Sequence, residues 1–95
     1  MAIGVLHEIP GGTAEQYEEV VQRLSDGRGL NSPTDWPVEG LLVHTAGPTD
    51  SGWRVVDVWE SEEAFRAFGD VLVPVLQEVG LGGAPDVFEL HNFVK

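Results

Sequence analysis

The chain has 95 residues, no cysteine, and sixteen Asp plus Glu against five Lys plus Arg, for a formal charge of −11. A chain of this length makes one domain, here residues 1–95, with one modest core that buries about 60–65% of the unfolded surface. The composition excludes disulfides, thiolate metal sites and a thiol nucleophile, and the acidic balance argues against binding to nucleic acid or anionic lipid, whose phosphates it repels.

The opening stretch MAIGVLHEIPGG lacks a basic segment followed by a long apolar one, so no signal peptide is expected. No apolar run approaches the roughly 20 residues of a membrane helix, and the expected compartment is the cytoplasm. Residues 2–8 read as a strand ended by Pro10-Gly11-Gly12. Gly11-Gly12-Thr13 is not a phosphate loop, because no Gly-Lys-Ser/Thr follows. Thr13 instead opens a helix, with Gln16 completing a capping box. Tyr17, Val20, Val21 and Leu24 form its apolar stripe, Glu15, Glu18, Glu19 and Gln22 lie outside it, and Gly27 and Gly29 stop the helix.

Residues 31–39 hold two Pro and a Trp and read as an ordered loop. Residues 40–46 form a second strand, residues 47–52 a hairpin turn and residues 53–60 a third strand. Ser61 is a good N-cap, and Glu62 and Glu63 put negative charge where the helix dipole favours it. The helix that follows runs over residues 62–79, with a break or kink expected near Gly69 and Pro74. Residues 80–85 are a loop and residues 86–94 a last strand.

The order strand, helix, strand, strand, helix, strand predicts a ferredoxin-like α+β sandwich: a four-stranded antiparallel sheet of order 4-1-3-2 with both helices on one face. Along the third strand, Val55, Asp57 and Trp59 share one face and Val56 and Val58 the other. The face bearing Trp53, Val55 and Trp59 is expected to be the one without helices. An apolar patch of that size implies a second copy covering it, hence a homodimer. Pairing Ala46 with Trp53 would set His44 opposite Val55 and Leu42 opposite Asp57.

Residues 58–65, VWESEEAF, resemble the antibiotic-biosynthesis-monooxygenase family of the dimeric α/β-barrel superfamily. Gly40-Leu41-Leu42-Val43-His44 and the Pro10-Gly11 strand exit extend the resemblance more weakly. It implies two sheets closing into a barrel with a pocket in each subunit. It also implies a small cofactor-independent oxygenase of an electron-rich polycyclic phenol, or a related isomerase or cyclase. Phe65 lies near the pocket in enzymes of that family. The heme-degrading branch carries an axial histidine on the second helix, and this chain has none there.

The candidate bases are His7, His44 and His91, with Asp57 as the carboxylate that orients one of them and stabilises its charged form. Trp59 is the candidate stacking wall for a flat aromatic ligand, and Val55, Phe65, Leu42 and Glu89 are its expected companions. Trp36 and Trp53 read as packing residues. No two histidines show a short ligand spacing, so no metal is expected, and the resemblance implies that no cofactor is needed. The competing reading is a non-catalytic barrel that binds a small apolar ligand or only packs.

Overall fold

The computed structural model describes residues 1–95. Its elements are β1 (Ile3–Pro10), α1 (Ala14–Ser25), a 3-10 turn (Pro33–Asp35), β2 (Leu41–Thr49), β3 (Gly52–Trp59), α2 (Glu62–Val79) and β4 (Asp86–Glu89). The strands form one antiparallel sheet in the order β2-β3-β1-β4, the expected ferredoxin-like arrangement.

Local chemistry explains most of the boundaries. The Thr13 hydroxyl accepts from the Gln16 amide, and the Gln16 side chain accepts from the Thr13 amide, so the capping box closes as expected. Asp26, rather than either glycine, ends α1 in the left-handed conformation at φ 56°. Ser61 caps α2 through the Ala64 amide, and Gly80 ends it at φ 85°.

Further expectations are corrected. α2 is one continuous helix through Gly69 and Pro74. Pro74 and Asp70, one turn back, are both exposed, so water can take the carbonyl that proline leaves unbonded. β2 runs on to Thr49, the hairpin turn is shorter, and the register moves by two residues: Ala46 pairs with Val55 and His44 with Asp57. A shift of two keeps every side chain on its face. β4 ends at Glu89, which leaves His91 beyond the sheet. Leu42 is the extra residue of a β-bulge between Leu41 and Val43 and faces no partner.

The largest correction concerns the faces. Trp59 is fully buried and packs on Phe65 and Phe68 of α2, with ring centroids 6.0 and 5.1 Å away. The face of Val55, Asp57 and Trp59 is therefore the helix-covered one, and the main core of Ile3, Val5, Trp36, Leu41, Trp59 and Phe68 lies there. The open face carries Leu6, Val43, Val56, Val58 and Phe88, with the Glu8–Arg54 ion pair at one end. Gly4 makes room on it, since a Cβ there would stand 2.5 Å from the Phe88 ring.

Candidate functional site

Between the sheet and the two helices lies an apolar cavity of about 210 Å³. The inward residues of β1 and β3 (Val5, His7, Ile9, Trp53, Val55 and Asp57) form its floor. Tyr17 and Val20 from α1, and Phe65, Phe68, Leu72 and Leu76 from α2, form its roof. Trp36 closes one end, and Leu81, Gly83 and Pro85 flank another part of it. Its mostly apolar lining with a few convergent polar groups suits a small ligand.

Those polar groups form a chain. The hairpin register sets His44 directly opposite Asp57, and His44 Nδ1 lies 2.7 Å from Asp57 Oδ1. A carboxylate oxygen only accepts, so Nδ1 carries the proton. In the neutral ring Nε2 is then an acceptor, and it takes the Tyr17 hydroxyl at 2.6 Å. The second Asp57 oxygen accepts from Trp59 Nε1 at 3.3 Å. Asp57 is 4% exposed, and these two donors are what make a buried carboxylate tolerable. Around the histidine, the Trp36 ring meets His44 edge-on at 4.9 Å and Tyr17 lies nearly parallel to it at 6.0 Å.

Burial is the main cause that pushes the Tyr17 phenol above its ordinary value of 10.0, with Glu18 and Asp57 adding to it, because all three disfavour a phenolate. Tyr17 therefore acts as a hydrogen-bond donor at neutral pH.

His7 is a second polar group of the cavity. It sits on β1 opposite Val55, is buried, and its Nε2 has no partner. Gly83 approaches this ring closely: a Cβ there would lie 3.5 Å from Nε2 and 3.2 Å from the Glu8 carbonyl. The indole Nε1 of Trp53 is likewise buried without a partner.

The predicted site residues thus separate into three groups. His7, His44, Asp57, Val55 and Phe65 line the cavity. Trp59 does not; it stands behind Asp57 in the core, as a donor to the carboxylate. His91, Glu89 and Leu42 also lie outside it: His91 and Glu89 are exposed at and beyond the end of an edge strand, and Leu42 is on the bulge. Trp36 and Trp53, read as packing residues, line the cavity, and so does Tyr17. Tyr17 was legible only as a member of a helix stripe. Its partnership with His44 spans 27 positions and has no local signature. No three His, Asp or Glu side chains converge as a metal-ligating group would require.

The order of elements and the sheet topology define the class of protein: a ferredoxin-like α+β fold. Among solved structures the chain is similar to a variant of SnoaB, a cofactor-independent oxygenase from Streptomyces nogalater. The TM-score is 0.61 and the identity 17%, over 98% of this chain and 95% of that one. A candidate monooxygenase from Shewanella loihica PV-4 matches with TM-score 0.61 and 15% identity, over 97% and 96% of the two chains. A further structure of SnoaB gives TM-score 0.58 at 16% identity. No protein-family model and no curated protein matches the sequence. At this identity the likeness establishes the fold, and activity has to be argued from the site.

Proposed function

We propose that this protein is a small cofactor-independent monooxygenase-like enzyme that acts on an aromatic or polyketide-type molecule in the cavity between sheet and helices. The observation that carries the reading is the half-buried Tyr17–His44–Asp57 chain, anchored on a buried carboxylate and opening onto an aromatic-lined apolar cavity. The fold of SnoaB, described as a cofactor-independent oxygenase, supports it.

In this reading His44 is the general base and Asp57 holds it in the tautomer whose Nε2 accepts a proton. The acidic C–H or O–H of the substrate displaces the Tyr17 hydroxyl from Nε2, or passes its proton through that hydroxyl. The imidazolium that results is stabilised by the Asp57 carboxylate. The carbanion reduces dioxygen as a C–O bond forms, and the peroxide anion recovers the proton from His44. Loss of water, with departure of the second hydrogen from the same carbon, leaves a carbonyl: CH₂ and O₂ become C=O and H₂O. His7 supplies a further polar contact for a substrate oxygen. Trp36, Trp53 and Phe65 present aromatic faces and edges to the rings.

Two copies pair through the open face of the sheet in this reading, since Leu6, Val43, Val56, Val58 and Phe88 form a patch that a second sheet would cover. The cytoplasm is the compartment proposed for it. No helix is long and apolar enough to cross a membrane.

One observation favours a second reading, a binding protein without turnover: His44 Nε2 is already occupied by Tyr17. The deciding measurement is oxygen consumption with hydroxylated polycyclic aromatics, for the parent chain and for Asp57→Asn. Turnover that Asp57→Asn abolishes, with the far-UV spectrum unchanged, supports the enzyme. Ligand binding without oxygen uptake by either protein overturns it.

A further inference from the structure

The residues of α2 that line the cavity are Phe65, Phe68, Gly69, Leu72, Val73 and Leu76. Their spacing follows one helical stripe, with Phe68 buried against the sheet and Val73, one turn on from Gly69, half exposed at the stripe's edge. Five members of that stripe are large apolar side chains and one is glycine. Glycine in a helix interior is unfavourable relative to alanine because it loses more backbone freedom on folding. Nothing in the backbone requires it, since α2 passes through Gly69 as an ordinary helix without a positive φ. Nothing in the packing requires it either: a Cβ built on Gly69 meets no atom within 4 Å. Gly4 and Gly40 differ, because a Cβ there would stand 2.5 Å from Phe88 and 2.6 Å from Ala64. The one consequence of glycine at position 69 is an empty notch in the cavity wall, one turn along from the Phe65 that packs on Trp59.

We infer that Gly69 is a specificity-determining residue, whose missing side chain sets how large a ring system the cavity admits. The inference rests on the ligand reading of the cavity and adds to it a steric limit. A ligand lying flat against the helix backbone at Gly69 gains the contact area that Phe65 and Phe68 would otherwise restrict. Filling the notch therefore penalises the ring that reaches it and leaves smaller occupants untouched.

The test uses two variants and three probes that differ in size alone: phenol, 2-naphthol and 2-hydroxyanthracene. Gly69→Ala is read first, without any ligand. It is expected to raise the melting temperature by roughly 4–8 °C, the gain of a helix-interior Gly→Ala change in a domain of this size. A lower melting temperature would mean the space beside Gly69 is not open, and overturns the inference. Binding of the probes is then measured by isothermal titration calorimetry on the parent chain, Gly69→Ala and Gly69→Leu. The expected result is a loss of tenfold or more for 2-hydroxyanthracene in Gly69→Leu, a smaller loss in Gly69→Ala, and unchanged binding of phenol. If a parent chain that binds the probes is matched by both variants for every ring size, the inference fails while the ligand reading stands. If the parent chain binds none of them, the ligand reading itself fails and takes the inference with it.

Discussion

Both faces of the sheet carry apolar side chains, and their fates are opposite. On the inner face, Val55, Asp57 and Trp59 of β3 meet two helices and share the space with His7 and His44. On the outer face, Val56 and Val58 of the same strand lie with Leu6, Val43 and Phe88 on the side away from the helices. Val56 is 39% and Phe88 49% exposed, whereas Trp59 is fully buried. Polar groups divide in a similar way. The inner face holds a hydrogen-bonded chain that ends in a buried carboxylate, and the outer face holds an exposed ion pair between Glu8 and Arg54. Burial makes the first sensitive to the loss of any member, while solvent makes the second worth little.

That contrast can be broken from either side. The largest effect is expected on the inner face: Trp59→Ala should cost about 3–5 kcal/mol, as large-to-small changes in a packed core do, and should free a donor-starved Asp57. Urea unfolding followed by tryptophan fluorescence measures it, and a change near zero would contradict the burial of Trp59. Next, His44→Ala should lower turnover by about 10²–10⁴-fold, the range of a positioned general base, with a smaller loss of stability. Steady-state oxygen consumption reads the first and thermal unfolding the second.

On the outer face, Val56→Glu should leave the secondary structure of the chain intact and abolish pairing. Sedimentation velocity should then give a species of one chain where the parent gives two, and the concentration dependence of the melting temperature should vanish. A parent protein that sediments as a single chain would contradict the pairing outright.

The smallest effect sharpens the inner site. Tyr17 is the one tyrosine of the chain, so phenolate absorbance titrates it without interference. Its folded value lies above the ordinary 10.0, through burial first and then through Glu18 and Asp57. A group raised in the folded state stabilises fully below its unfolded value, and that contribution is lost as pH rises through the folded one. The absorbance midpoint should therefore fall above pH 10 and stability should decline in the same window. Tyr17→Phe should remove both features.

Short-range signals in the sequence carried the elements themselves. The Thr13–Gln16 box, the Ser61 cap with Glu62 and Glu63, the glycine-rich turns and the order of apolar runs sufficed for the ferredoxin-like topology and for the extent of α2, because caps and turns act within a few residues. That His44 and Asp57 share one face of the hairpin was also legible, since alternation fixes the face, although the expected register set Leu42 opposite Asp57. Tertiary structure decided which residue pairs with Asp57. A two-residue shift of register, set by the shorter turn, moved His44 from Val55 to Asp57 without changing its face. It decided which face the helices cover as well. β3 offers apolar residues on both sides, so alternation distinguishes the two faces but cannot rank them. It also brought Tyr17 to His44 and kept Pro74 inside an unbroken helix. Both depend on what lies across the fold or in the solvent beside a residue, and a linear pattern of residue types does not encode that.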